Sequence, residues 1–202
     1  MNLEFKSPSE QDLKTAYERD LKISFPPSEL KALYHIITAR DAGKYQPWCL
    51  YDDNILIGEC FLWSGNPGFV LLDYLCVTPD RRNDGLGGVM LSRMREKLPD
   101  DIILCETETP THADDPEMAK RRVGFYRRHG AKLSGFEAEI VGVRYQILYW
   151  SPGDKIIQDN IILKEYMALY QNALTPETYR RYCRIPRNPD SLSSEAVSMG
   201  IK

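Results

Sequence analysis

Nowhere in the sequence do two cysteines stand at Cys-x-x-Cys spacing, and the five present (Cys49, Cys60, Cys76, Cys105 and Cys183) are odd in number. This excludes a zinc ribbon and a disulfide framework, leaving reduced thiols, no metal and a cytoplasmic setting as the expectation. Basic charge is not in excess: 26 Lys and Arg face 29 Asp and Glu, a formal charge of -3. Without a global basic field, neither nucleic acid nor an anionic membrane is an expected partner. No run reaches the roughly 18 uninterrupted apolar residues of a spanning helix. The opening MNLEFKSPSEQDLK also lacks the apolar core of a signal peptide, so the sequence reads as soluble and intracellular. What is present is 43% hydrophobic content over 202 residues, enough for a sizeable core in one compact domain with an appendage.

Local patterning predicts a mixed α/β order. After a short strand at Leu3 to Phe5, helix-start chemistry at Ser7-Pro8-Ser9-Glu10 leads into Leu13, Tyr17 and Leu21 at four-residue spacing. Pro26-Pro27-Ser28-Glu29 repeats the start signal, with Leu30, Leu33, Tyr34 and Ile37 predicting a second helix that ends at Gly43. Three apolar runs then read as a strand meander: Trp48 to Tyr51, Ile55 to Trp63 and Phe69 to Val77. A helix is predicted over Gly87, Leu91, Met94 and Leu98, a strand over Ile102 to Cys105, and a helix from Pro116 to Arg128 stopped by Gly130. Lys132 to Ile140 and Arg144 to Trp150 close the body as strands. The expected fold is therefore α/β with a largely antiparallel twisted sheet flanked by helices over residues 1–150. A helical extension is expected over 151–202, patterned by Ile162, Tyr166 and Leu169, with Ile161, Ile162, Tyr166, Tyr170, Tyr179 and Tyr182 packing on the body or at a dimer seam. Its last residues, Ser191 to Lys202, are polar enough to fray or to dock on a partner.

Between the third meander strand and the following helix lies RRNDGLGG, Arg81 to Gly88. A basic, glycine-rich entry to a helix is an anion cradle, because backbone N–H groups converge there and glycine lets the main chain approach. The dinucleotide spacing GxGxxG fails, since Met90 stands where the third glycine belongs, and no Gly-Lys pair completes a P-loop. What remains is RxxGxG, formed by Arg82, Gly85 and Gly87.

The stretch LLDYLCVTPDRRNDGLGGVML and the later GFYRRHGAKL resemble the GNAT superfamily of acyl-CoA N-acyltransferases over approximately Leu3 to Trp150. The first matches that family's central strand and pyrophosphate loop, [RQ]xxGxG[AG], at Arg82, Gly85, Gly87 and Gly88; the second matches the helix that carries a tyrosine near the thioester sulfur. The resemblance implies acetyl-CoA as co-substrate. Its pyrophosphate would lie on Arg82, Asn83, Asp84, Gly85, Leu86, Gly87 and Gly88, and its pantetheine along Leu75, Cys76 and Val77. It implies direct transfer to a primary amine on a small molecule, protein or peptide, by a monomer or homodimer. Tyr126 is then the acid for the departing thiolate, a phenol being protonated at neutral pH.

The base is open among Asp73, Glu106 and Glu108, and His112 lies in a nearby loop. Strand alternation places Asp73, Leu75 and Val77 on one face and Tyr74 and Cys76 on the other, so only one of Asp73 and Tyr74 is expected to face a cleft. A carboxylate inside LLDYLCV needs a partner or a role. Cys76 as an acyl-accepting nucleophile is disfavoured, because no histidine stands by to activate it. Arg121, Arg122 and Arg127 are basic candidates for the nucleotide 3'-phosphate on an otherwise solvated face. Acidic loops favour a cationic acceptor, and Tyr17, Tyr34, Trp48 and Trp63 are candidates to line its site. The competing class is a non-catalytic acyl-CoA-binding sensor or docking module.

Overall fold

The computed structural model describes residues 1–187, so the expectation for Ser191 to Lys202 lies outside the described residues. Two compact units are present, one formed by Met1–Ser64 with Val70–Pro99 and one by Gly65–Phe69 with the chain from Asp100 onward.

In the first unit, β1 (Leu3–Lys6), β2 (Tyr45–Asp52), β3 (Ile55–Ser64) and β4 (Phe69–Val77) pair antiparallel in chain order. The turn at Asp53 and Asn54 joins β2 to β3, both residues at positive φ, a conformation Asn and Asp tolerate better than most. Ser9 caps α1 (Glu10–Thr15) by accepting from the Asp12 N–H, as the sequence predicts. The helix then widens into a π-helical stretch, Ala16–Leu21, and ends as α2 (Lys22–Ser24). Ala16, Tyr17, Asp20 and Leu21 are all buried from this stretch. A π turn lets a helix bury a wider arc than the 3.6-residue period allows, and sites of this kind recur where function requires them. The second helix does not start at Ser28: residues 26–32 are irregular, and α3 runs Leu33–Asp41. The reason is a tertiary contact, since the Tyr74 hydroxyl donates to the Glu29 carbonyl and accepts from the Lys31 N–H, holding the backbone where a helix would need it. α4 (Leu86–Lys97) buries Leu86, Met90, Leu91 and Met94.

In the second unit, β5 (Ile102–Glu108), β6 (Lys132–Ile140), β7 (Val143–Trp150) and the short β8 (Cys183–Arg184) form antiparallel ladders in the order β5-β7-β6-β8. α5 (Pro116–Arg128) has proline at its start, Asp115 as cap and Gly130 at φ 89 just beyond its end. α6 (Asp159–Ala173) packs on β6 and buries Ile162, Leu163, Tyr166, Leu169 and Tyr170; α7 (Pro176–Tyr182) leads into β8. No helix among the described residues is long and apolar enough to cross a membrane.

Candidate active site

β4 ends at Val77, and a single 3-10 turn, Pro79–Arg81, leads into the loop that starts α4. Gly85 is the N-cap of α4 in the left-handed region, φ 78, and no side chain caps the helix. A Cβ there would meet nothing within 4 Å, so glycine is required by conformation and the space before the helix is open. Asn83 is also left-handed, φ 72, so two left-handed residues flank Asp84 in the loop, a backbone pattern of the kind anion nests use. Arg82 donates to the Val77 carbonyl at 3.3 Å and to the Ser24 hydroxyl at 3.1 Å, while Arg81 is engaged by Asp84 and Asp52. These residues suit a pyrophosphate: an uncapped helix N-terminus, an open glycine and a flanking guanidinium.

Asp73 departs from the alternation expected of β4. Leu72 pairs with Leu62 and Tyr74 with Phe61, so Asp73 is an extra residue, a β-bulge, with no partner position on β3. The carboxylate of Asp73 and the hydroxyl of Tyr74 both meet the same residue, Lys31, so the strict alternation on which their assignment to opposite faces rests is broken at this bulge. Lys31 Nζ lies 2.7 and 2.9 Å from the two Asp73 oxygens, and the Tyr45 hydroxyl donates to Asp73 Oδ2. Burial first, and the Asp73 charge second, push the Tyr45 phenol well above its usual value, so it stays a donor.

Two carboxylates absent from the sequence-based candidates lie under this strand. Asp20, on the π turn, and Glu59, on β3, are both fully buried. Arg19 binds Asp20 through Nε and Nη2 and also donates to the Leu56 carbonyl at 3.0 Å. Cys76 Sγ donates to Glu59 Oε2 at 2.8 Å, while Oε1 of Glu59 receives no hydrogen bond from the protein. Burial, with Asp20 next in size, pushes Glu59 well above the ordinary carboxylate range. A proton on Glu59 accounts for both facts, because the acid can donate to the Asp20 carboxylate within its reach. A carboxylate inside the apolar strand ILIGECFLW and another on the apolar face of Leu13, Tyr17 and Leu21 were the signal available in the sequence. The Cys76 thiol is likewise raised well above its usual value by burial and then by Glu59, which leaves it a poor nucleophile.

In the second unit, Tyr126 is buried on α5 with its ring edge-on to Trp150 at 5.8 Å and to Phe125 at 5.2 Å. Its hydroxyl is hydrogen-bonded to Cys105, whose thiol burial pushes up to about 12 against that bond's opposing effect. Glu106, the other carboxylate candidate, is held by α6: the hydroxyls of Tyr166 and Tyr170 both donate to its Oε1, the latter at 2.6 Å. Hydrogen bonds to a charged group contribute about 1.5–3 kcal/mol each. Tyr166→Phe is therefore expected to lower the urea midpoint measurably more than Tyr179→Phe, whose hydroxyl meets the neutral Gln171. His112 sits between the Thr111 hydroxyl and Arg144, its Nε2 facing the guanidinium at 3.2 Å.

No family model matches the chain. It is 28% identical over 181 residues to "Putative acetyltransferase YjbC" of Bacillus subtilis (strain 168), covering 82% of this chain and 84% of that protein. Among solved structures it is similar to a "Putative acetyltransferase from GNAT family" of Bacteroides thetaiotaomicron, with 27% identity, TM-score 0.60, and 73% and 86% of the two chains covered. Spermidine N-acetyltransferase from Vibrio cholerae, crystallised with CoA and spermine, shares the fold at 11% identity and TM-score 0.59, over 75% of this chain and 96% of that one. The mixed α/β fold, with the glycine-led helix after β4, matches that of GNAT-family acetyltransferases. In sequence and in fold the chain is similar to that family.

Proposed function

We propose that the protein transfers an acetyl group from acetyl-CoA to a primary amine by direct attack. The observation that carries this reading is the uncapped start of α4 at Gly85, open in front and immediately downstream of β4. The Vibrio cholerae enzyme's CoA and polyamine support it by analogy of fold. Acetyl-CoA, when bound, supplies a thioester whose carbonyl carbon bonds to the amine nitrogen as its C–S bond breaks. In this reading the N–H groups from Arg82 to Gly88 hold the pyrophosphate, and Leu75, Cys76 and Val77 offer their main chain to the pantetheine. The Val77 N–H, or a neighbour's, is aimed at the thioester oxygen as charge develops there. Asp73 accepts the proton that the acceptor nitrogen must lose, with Glu106, oriented by Tyr166 and Tyr170, as the alternative acceptor. Tyr126 gives a proton to the departing thiolate.

Thiol release from acetyl-CoA across a panel of amines and peptides tests the reading: release that depends on an amine is expected. Tight acetyl-CoA binding with no thiol released by any amine would overturn it in favour of a non-catalytic acyl-CoA-binding module. Gly85→Val places a β-branched residue at φ 78 and a side chain in the cradle, and is expected to weaken acetyl-CoA binding by roughly tenfold or more. Gly142→Val, at φ 83 in a turn of the second unit, carries comparable backbone strain and is expected to leave that affinity unchanged in isothermal titration.

A further inference from the structure

The ammonium of Lys31 sits in more than an ion pair. Its Nζ lies 4.9 Å from the centre of the Trp63 ring and 5.5 Å from that of Tyr74, as well as on both oxygens of Asp73. Two π faces and a carboxylate with 8% exposure form a seat that selects for a cation, and it holds one primary ammonium, that of Lys31. The parts differ in how they are held. Tyr45, Trp63, Asp73 and Tyr74 are carried by β2, β3 and β4; Tyr45 is edge-on to Phe61 and donates to Asp73, Tyr74 is edge-on to Phe25, and Trp63 packs partly buried against the core. Lys31 alone comes from the irregular segment 26–32, and its side chain is about one-third exposed.

The backbone of that segment stays pinned by the Tyr74 hydroxyl through Glu29 and Lys31, so the four-carbon arm can swing out while the seat keeps its shape. The bulge at Asp73 has the effect bulges have next to binding sites, re-aiming one side chain out of the pleat. We infer that Tyr45, Trp63, Asp73 and Tyr74 are the seat for the ammonium of the acceptor, and that Lys31 occupies it as an internal surrogate which a cationic alkylamine displaces. The inference rests on the N-acetyltransferase reading and narrows its acceptors to cationic alkylamines, including lysine-like side chains, over neutral or acidic amines.

Binding to the full chain without acetyl-CoA tests the seat separately from catalysis. The probe is n-butylammonium chloride, with n-butanol as the uncharged isostere, titrated by NMR on the Trp63 indole signal. Lys31→Met keeps the apolar stem and empties the seat, and is expected to bind n-butylammonium roughly tenfold more tightly than the unaltered protein. Adding Asp73→Asn or Trp63→Leu is expected to remove that gain, and n-butanol is expected to show no difference among the variants. Should Lys31→Met fail to fold, Lys31→Gln serves in its place, checked by its thermal transition. Equal n-butylammonium binding with and without Lys31, or a gain that survives Asp73→Asn, would overturn the seat. In the thiol-release assay Lys31→Met is expected to lower KM for 1,5-diaminopentane and leave KM for acetyl-CoA unchanged. Cation binding that follows the expected pattern with no turnover of any amine overturns the acceptor role and the N-acetyltransferase reading together while the cation seat remains. Turnover indifferent to Lys31, Asp73 and Trp63 overturns the seat's acceptor role and Asp73 as proton acceptor, and leaves the N-acetyltransferase reading standing with Glu106 in that part.

Discussion

Tyr126→Phe is expected to lower kcat for acetyl transfer by about 10²-fold or more, with acetyl-CoA affinity changed by no more than about twofold. One oxygen is removed, and the ring that packs on Trp150 and Phe125 remains. The Cys105 thiol loses its hydroxyl partner but, raised to about 12 by burial, takes over no acid-base work near neutrality. A purely structural tyrosine would behave otherwise, costing about 1 kcal/mol of stability for the lost hydrogen bond and leaving kcat alone. The acid role also has a signature that packing cannot imitate. Protonating the leaving thiolate matters most when the thiol is weakly acidic, so an acetyl thioester of a more acidic thiol should narrow the gap between the variant and the unaltered protein. An equal deficit with both donors, or wild-type turnover in the variant, would remove Tyr126 from the chemistry.

The parts of the fold legible in the sequence are those that local chemistry decides. β4 at Phe69–Val77, α5 at Pro116–Arg128 and β6 at Lys132–Ile140 fall where apolar runs, a proline start and a glycine stop place them. The loop Arg82 to Gly88 was legible for the same reason, since left-handed Gly85 and the helix entry are local requirements. What was not legible depends on contacts between residues far apart in the chain. The start signal at Ser28 is sound helix chemistry, yet Tyr74 claims the backbone of residues 29 and 31 from 45 and 43 positions away, and α3 begins at Leu33. A bulge adds one residue without altering composition, so the period-2 reading of Asp73 and Tyr74 had no means of detecting it. The π-helical stretch is similar: Leu13, Tyr17 and Leu21 kept their spacing, and the widened turn Ala16–Leu21 left no mark on it.

These non-local contacts are also what ties the candidate site together within the first unit. Hydrogen bonds run from Arg82 on the loop to Ser24, from Ser24 to Cys76, from Cys76 to Glu59, and onward through Asp20 to Arg19. The chain links the loop that starts α4 to the π turn beneath the last residues of β4. Such a network fixes the strand end only if every member has a partner, and a half-satisfied one would destabilise it. The weak link is therefore the buried pair of acids, which is stable only while it keeps a proton.

That dependence gives the largest expected effect on stability. Glu59 has an ordinary value near 4.5 when the chain is unfolded and is raised well above it in the fold, by burial first and Asp20 next. As pH rises through the ordinary value, the unfolded chain releases this proton while the folded chain retains it. The unfolded state then binds fewer protons, so stability falls by about 1.4 kcal/mol per pH unit, a loss that continues until the folded pKa is reached. The full contribution of the protonated pair is present only below the ordinary value. Glu59→Gln keeps the shape, carries an amide N–H that can serve the Asp20 carboxylate, and has no proton to lose. The variant is expected to match the unaltered protein within about 1 kcal/mol near pH 4 and to gain on it steadily as pH rises above the ordinary carboxylate range. Urea midpoints measured across that range decide the matter. Parallel pH curves for the two proteins would mean that Glu59 is ionised in the fold, with Arg19 rather than a shared proton balancing both carboxylates. Asp20→Asn separates these cases further, because removing the partner's charge relieves part of the upward pressure on Glu59 and should shorten the pH range over which stability is lost without abolishing it.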